Sequence, residues 1–470
     1  MTQNEGTICA IATPAGSGGI AVIRISGSNA IALCDTIFKA RNRSKTLTTQ
    51  PANTLLYGHI MADEEIVDEV VASIFRAPHS FTGEDTIEIA CHGSQYIQQR
   101  ILSLLIAAGC RLAEPGEFTR RAFASGRIDL SQAEAVADLI AATTAAAHRL
   151  AMNQMRGHFS QRLSELRAGL LQFVSLIELE LDFSEEDVQF ADRTHLTQLV
   201  NDIHHEISRL AQSFVVGNAI KNGVPVAIVG ETNAGKSTLL NRLVHDERAL
   251  VSDIHGTTRD VIEDTITLQG TLFRFIDTAG IRETSDVIES MGIERTYSKL
   301  EQSEIAVWLI DSTTPQAEIE KLAERILPLC DNKQLIVAFN KSDLLSAEQQ
   351  AAIAVIEQQL QALRPDTPTL HLSAKHNSGI EQLEQLLIQA AQLPTADSND
   401  VIVTNARHHQ ALLLALDSIE RVEQGLATGI PTDFVAQDIR ECMHHLGEIT
   451  GQISTDEILG SIFSRFCIGK

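Results

Sequence analysis

Four short groups of residues in this 470-residue chain have types and spacing that could do chemistry. The first is Gly230-Glu231-Thr232-Asn233-Ala234-Gly235-Lys236-Ser237, a G-x-x-x-x-G-K-S pattern that follows Val226, Ala227, Ile228 and Val229 and leads into a helical pattern. Gly230 and Gly235 let the backbone turn so that successive amide hydrogens face inward, and the helix N-terminus adds partial positive charge. Lys236 is expected to reach the β- and γ-phosphates and the Ser237 hydroxyl to ligate Mg2+, with Asn233, Ala234 and Thr238 completing the cradle. The second group, Asp277-Thr278-Ala279-Gly280, is a D-x-x-G pattern in which Asp277 holds Mg2+ through water and Gly280 turns its amide toward the γ-phosphate. The third, Asn340-Lys341-Ser342-Asp343, selects the base, because a carboxylate at Asp343 accepts N1–H and the 2-amino hydrogens of guanine, a donor pair that adenine lacks. The fourth, Ser373-Ala374-Lys375, offers the Ala374 amide to guanine O6.

Hydrolysis needs more. Ras-like enzymes orient the attacking water with a glutamine directly after D-x-x-G, where this chain has Ile281. Arg282, Glu283, Asp286 and Glu289 follow as alternatives, and spacing does not choose among them. The transition state also needs positive charge between the β- and γ-phosphates. The Asn233 amide oxygen, inside the phosphate loop, is suited to ligating a monovalent cation there, although it can equally brace the loop. Residues 252–260 read as switch I: Thr258 is the expected Mg2+ ligand, carbonyls around Ser252 and Ile254 with Thr257 complete the cation site, and Arg259 is a further catalytic candidate.

These groups are useful only if strands bring them to one edge. The motifs end or follow apolar runs at 226–229, 272–276, 335–339 and 370–372, and ligands of open α/β sheets bind at the carboxyl ends of strands. The G domain is therefore expected at 216–390. Residues 1–125 show strand patterns at 7–12, 19–27, 69–75 and 85–90 and helical ones at 28–38 and 96–108, a small α+β domain. Its loop at 16–19 lacks a following Lys-Ser and reads as structural. Glu114, Glu117, Arg120 and Arg121 around Pro115-Gly116 read as a solvated surface loop. From 126 to 215 the chain turns helical: Leu163, Leu166, Leu170, Val174, Ile177 and Leu181 recur at spacings of three and four. The acidic stretch 178–187 reads as a solvated face, and a second helix over 192–215 is expected to stop at Gly217. After a polar linker at 394–400, residues 391–470 resume helical periodicity through Leu412, Leu413, Leu416, Ile419 and Val422, then Phe434, Ile439, Met443, Leu446 and Ile449. The fold class is multidomain α/β plus α, with a P-loop Ras-like domain inserted into one helical domain.

A formal net charge of −24 argues against broad, non-specific nucleic-acid binding, and 4% aromatic content argues against an extended base-stacking platform. No apolar stretch approaches the ~18 residues of a membrane span, so a cytoplasmic placement is expected. The 7 cysteines contain no C-x-x-C pair. His408-His409 and His444-His445 lack the carboxylate spacing of a metal motif. Cys467 is followed by Gly469 and Lys470, which do not fit a prenylation box, and is instead a candidate reactive thiol on a mobile tail.

Segments outside the nucleotide motifs narrow the reading. Gly18-Gly19-Ile20-Ala21-Val22-Ile23-Arg24-Ile25-Ser26-Gly27 within the N-terminal region, Phe81-Thr82-Gly83-Glu84-Asp85, Pro115-Gly116-Glu117-Phe118-Thr119-Arg120-Arg121, Gly126-Arg127-Ile128-Asp129-Leu130-Ser131-Gln132-Ala133-Glu134-Ala135, the P-loop, Gly256-Thr257-Thr258-Arg259-Asp260 and Cys467-Ile468-Gly469-Lys470 together resemble the MnmE (TrmE) family of tRNA modification GTPases, over the whole chain. The resemblance implies an N-terminal domain that dimerises and binds a folate, a helical domain and an inserted G domain. It implies a homodimer working with the FAD-dependent protein MnmG, in a heterotetramer, to add an aminomethyl-type or carboxymethylaminomethyl group to C5 of the wobble uridine of certain tRNAs. The one-carbon unit would come from 5,10-methylene-tetrahydrofolate or formyl-tetrahydrofolate, and Arg24, Glu84 and Arg120 are the contributors to a folate site. Hydrolysis in the family is K+-dependent through G-domain dimerisation, its catalytic glutamate falls on Glu289, and Cys467 is needed for modification. Glu231 and Thr232 depart from the commonest family loop, which implies a less rigid phosphate loop. A ribosome-assembly GTPase shares the P-loop and the Thr-Thr-Arg switch and is the alternative, although no KH domain or second G domain is evident.

Overall fold

The computed structural model describes residues 6–182, 193–245, 264–276, 300–391, 401–464, 466 and 469. The chain divides into two compact units, one of Met1–Ile140, Met152–His204 and Leu414–Lys470, the other of Ala141–Ala151 and His205–Leu413.

The first unit opens with strands β1 (Ile8–Ile11), β2 (Gly18–Ser26), β3 (Phe38–Ala40), β4 (Thr54–Ala62), β5 (Glu65–Phe75), β6 (Thr86–Gly93) and β7 (Arg111–Leu112). They form a seven-stranded sheet in the order β3-β4-β5-β6-β2-β1-β7, antiparallel throughout except that β7 runs parallel to β1. Alternation builds its core: Ile23 and Ile25 of β2, Ala72 and Ile74 of β5, and Ile87 and Ile89 of β6 are buried under Ala30, Ile31 and Cys34 of the helix Ala30–Ile37 and Ile101 and Leu105 of Gln95–Ala107. Strand β4 escaped the sequence reading because its apolar residues fall on both faces, Leu55 and Tyr57 being exposed. Pairing with β4 also starts β5 at Glu65 rather than at 69.

The expected surface loop at 114–123 is not one. Glu117–Ala124 is a helix with Glu117, Phe118, Thr119, Arg121 and Ala122 buried, because Glu117 and Arg121 pair with each other and with Arg111 and Glu84 from outside the helix. Farther on, the helix His158–Asp182 packs on Thr432–Thr450 although most of the chain separates them. Leu163, Leu166, Leu170, Val174 and Ile177 are buried as the period requires. The second helix buries Val435, Ile439, Cys442, Leu446 and Ile449, one position off the expected start, and leaves Phe434 exposed. Arg167 Nε donates to the Met443 carbonyl at 3.1 Å.

The second unit holds β8 (Val224–Val229), β9 (Asp264–Leu268), β10 (Thr271–Phe275), β11 (Ile305–Asp311), β12 (Gln334–Asn340) and β13 (Thr369–His371), in a six-stranded sheet of order β13-β12-β11-β8-β10-β9. All neighbours are parallel except β9 and β10. One face packs Val226, Ile228, Val307 and Leu309 against Leu239, Leu243, Leu383 and Leu387, and the other packs Ala227, Val229, Trp308 and Ile310 against Ile319, Ile353 and Ile356. A sheet covered on both faces demands unbroken apolar strands. Strand β11, Ile-Ala-Val-Trp-Leu-Ile-Asp, is of that kind and lies between β8 and β12, yet it carries no motif and was not anticipated. The helix Arg193–Asn222 runs through Gly217 instead of ending there. Gly217 serves packing: a β-carbon on it would stand 2.1 Å from the Val403 carbonyl oxygen. Among the described residues no helix is long and apolar enough to cross a membrane.

Candidate functional site

Strand β8 delivers the chain into the phosphate loop, and the helix Lys236–His245 begins where the loop ends. Two glycines are structurally obligatory. Gly230 has φ +155 and an added β-carbon would meet the Leu309 carbonyl at 2.1 Å; Gly235 has φ +98 and its β-carbon would meet Asn340 Nδ2 at 2.2 Å. Asn233 is left-handed at φ 66 and exposed at the loop tip, Ala234 is buried, and Ser237 and Thr238 occupy the first turn of the helix. Lys236 Nζ donates to the carbonyls of Gly230 at 2.8 Å and Glu231 at 2.6 Å, so the ammonium is held by its own loop. Phosphate oxygens are stronger acceptors for it than neutral carbonyls. Burial, aided by the charges of Glu318 and Asp311, raises the Glu231 carboxyl above its ordinary range.

At the base end Asn340 is buried and commits both ends of its amide. Nδ2 donates to the Ala234 carbonyl at 2.7 Å, and Oδ1 accepts the Ala374 amide at 3.0 Å. Arg242 donates to the carbonyls of Ala374 and Lys375, each at 3.3 Å, from the far side of the same turn. Asp343 stands partly exposed; a hydrogen bond from Ser373, with smaller help from the charges of His376 and Lys375, holds its carboxyl below the usual range. It is therefore ionised and acceptor-only at neutral pH, as recognition of a guanine edge requires.

Asn233 to Thr238, Asn340 to Asp343 and Ser373 to Lys375 thus share the carboxyl edge of the sheet. Ser252, Ile254, Thr257, Thr258, Arg259, Asp277, Thr278, Ala279, Gly280, Glu289 and Cys467 lie outside the described residues. The sequence reading missed Arg242 and Asp311. The signal for Asp311 was available: an apolar run ending in Asp-Ser-Thr-Thr, the same strand-then-polar pattern as the other motifs.

A second polar cluster lies in the first unit. Ser26 Oγ donates to Glu84 Oε2 at 2.7 Å and sits 2.7 Å from the Thr82 hydroxyl, while Arg121 reaches both Glu84 oxygens at 3.1 Å. Arg121 also donates to Glu117 at 2.9 Å, and Arg111 clamps Glu117 with bonds of 2.9 and 2.6 Å. Burial alone would raise Glu117, but Arg111, the Glu114 amide and Arg121 bring its pKa down to about 2. Arg24 pairs with Glu88 at 2.8 Å and lies 5.7 Å from the ring centres of both Phe81 and Phe118. Of the folate candidates, Glu84 is joined to Arg121 rather than to Arg120, which reaches Glu114 at 3.5 Å.

The tail, expected to be mobile, is anchored on either side of Cys467. Phe463 and Phe466 join Leu130, Ala133 and Leu459 in an apolar cluster. A β-carbon on Gly116 would stand 2.7 Å from the Phe463 carbonyl oxygen, and one on Gly469 would stand 2.3 Å from that of Ile11. Apolar burial holds Phe463 and Phe466, and close backbone approach holds Gly469; the partners for both are far away in the sequence.

Two family models match: "GTP-binding protein TrmE N-terminus" over residues 7–127 and "MnmE helical domain" over residues 130–467. A tRNA modification GTPase MnmE of Bacteroides thetaiotaomicron is 56% identical over 468 residues, covering 100% of each chain. The protein of the same name from Parabacteroides distasonis is 55% identical, covering 99% of this chain and 100% of its own. Among solved structures, Aquifex aeolicus Era bound to GDP and aluminium fluoride is 26% identical over 41% of this chain and 66% of its own, with a TM-score of 0.28.

Proposed function

Because the chain belongs to the MnmE family of tRNA modification GTPases, we propose that it couples GTP hydrolysis to modification of C5 of the wobble uridine in certain tRNAs. The observation that carries the nucleotide half is the Asn340 amide, which ties the phosphate loop to the Ser373-Ala374-Lys375 turn while Asp343 stays ionised beside it. GTP phosphates would take Lys236 from its carbonyls, and the Gly235 and Lys236 amides at the helix N-terminus would receive the negative charge. Mg2+ would be held by Ser237, Thr258 and, through water, Asp277, and it supplies charge neutralisation on the β- and γ-oxygens. Asn233, exposed at the loop tip, suits K+ ligation with Ser252, Ile254 and Thr257, and Glu289 would hold the attacking water, with Arg259 assisting from switch I.

The modification half belongs to the first unit. Arg24, Glu84 and Arg120 are the proposed folate contacts, Arg121 fixing Glu84 from behind, and the polar, cation-lined cluster beside exposed Phe81 fits a flat ring system with a carboxylate tail. Phe466 and Gly469, which flank Cys467 in the sequence, pack against residues of this unit, and that supports the reading in which the thiol serves the modification. We further propose a cytoplasmic homodimer that joins the FAD-dependent MnmG in a heterotetramer and draws its one-carbon unit from methylene- or formyl-tetrahydrofolate.

Mass-spectrometric analysis of tRNA nucleosides from cells with and without this chain tests the reading. Loss of C5-aminomethyl-type uridines is expected; an unchanged profile would leave a GTPase and favour ribosome assembly as its task. Hydrolysis equally fast in Na+ and K+ would remove the cation step.

A further inference from the structure

The carboxyl ends of β11 and β12 lie side by side, with Asp311 opposite Asn340 in parallel register and the Ser312 amide donating to the Asn340 carbonyl at 2.9 Å. At Lys341 the backbone turns into the left-handed region, φ 64, and the side chain crosses to the neighbouring strand end, where Nζ meets Asp311 Oδ2 at 2.6 Å. The other Asp311 oxygen accepts the amide of Thr313 at 2.9 Å and its hydroxyl at 2.7 Å. The acceptor is therefore fixed by its own strand end, independently of the lysine. Side-chain exposures of 33% for Lys341 and 16% for Asp311 set this pair apart from a fully solvated surface ion pair. A lysine stem is among the most entropically expensive side chains to order, and order present before binding is not charged to the ligand.

We propose that Asp311 is the positioning residue for Lys341: by holding the ammonium at the end of β11, it keeps the lysine stem laid between Asn340 and Asp343 as a fixed apolar rail for one face of the bound purine. The inference rests on the guanine-nucleotide reading of this site and deepens it. GDP and GTP carry the same base, so the contribution of Asp311 is common to both. It acts through Lys341, so it vanishes when Lys341 is shortened.

Binding and dissociation of fluorescently labelled GDP and GTP, measured by stopped flow on the full chain with labelled ADP as control, provide the test. A wild-type chain that fails to prefer GDP over ADP would sink the nucleotide reading itself and not merely this inference. Given that preference, Asp311→Asn raises Kd for GDP and GTP by the same factor, about tenfold, mostly through faster dissociation. Thr313→Val, which removes the hydroxyl that pins Asp311, acts in the same direction by about threefold. In a Lys341→Ala background neither substitution adds more than about twofold. Unchanged affinity in Asp311→Asn, loss of GTP affinity without loss of GDP affinity, or full additivity with Lys341→Ala overturns the proposal. If circular dichroism shows that Asp311→Asn does not fold, Thr313→Val and its cycle with Lys341→Ala decide by the same criteria.

Discussion

Asn340 Nδ2 lies 2.2 Å from the point where a β-carbon on Gly235 would stand, and the same nitrogen donates to the Ala234 carbonyl at 2.7 Å. The phosphate loop and the base-selecting strand end are thus fitted to each other with no room for a methyl group.

This contact predicts two variants with one phenotype. Gly235→Ala forces the Asn340 amide away, and Asn340→Ala removes its bonds to Ala234 and Ala374 together. Loss of two buried hydrogen bonds at about 1 to 2 kcal/mol each weakens guanine-nucleotide binding by roughly 30- to 1,000-fold. Isothermal titration with GDP measures it, and near-wild-type affinity in Asn340→Ala would contradict the bridging role.

The fully buried Glu117, with its pKa of about 2 against an ordinary 4.5, makes the first unit acid-sensitive. A depressed carboxyl pKa gives stability that is present above pH 4.5 and lost as pH falls toward 2, here about 3 kcal/mol. Glu117→Gln should therefore destabilise the chain at pH 7 by a few kcal/mol, because Arg121 is left buried with weaker partners, and should flatten the acid limb of the stability profile. Chemical denaturation at a series of pH values reads both effects; a parallel offset with an unchanged acid limb would mean the charge is not the cause.

Gly469 approaches Ile11 more closely than any side chain allows. Gly469→Val should undock the tail, abolish tRNA modification and leave steady-state GTP hydrolysis within about twofold of wild type, since the nucleotide residues lie in the other unit. Parallel assays of nucleoside content and phosphate release separate the two activities. Full modification by Gly469→Val would show that the anchoring is dispensable.

Gly217 sits within a helix, where glycine is normally a liability of about 1 kcal/mol relative to alanine. Here Gly217→Ala should destabilise rather than stabilise, by about 1 to 3 kcal/mol, because the new methyl group meets the Val403 carbonyl at 2.1 Å. A raised melting temperature in Gly217→Ala would show that residue 403 moves aside freely.

The sequence by itself determined the chemistry that follows from fixed local spacing. Glycines, a lysine and a serine at set intervals after an apolar strand are readable one-dimensionally because a phosphate loop is a local structure, and Asn-Lys-x-Asp is a single turn. Helix period likewise gave the buried face Leu163, Leu166, Leu170, Val174 and Ile177. Only the tertiary structure decided which distant residues meet. Strand β11 has the same unbroken apolar run as β8 and β12, but what Asp311 does depends on Lys341, which follows a different strand, and only the sheet order brings the two together. Glu117 and Arg121 read as solvated because charge predicts exposure until a partner is in place, and the partners come from Glu84 and Arg111. Gly217 read as a stop and the tail as mobile for the same reason: a glycine's purpose, and a short segment's anchorage, lie in the backbone it approaches, which local spacing does not encode.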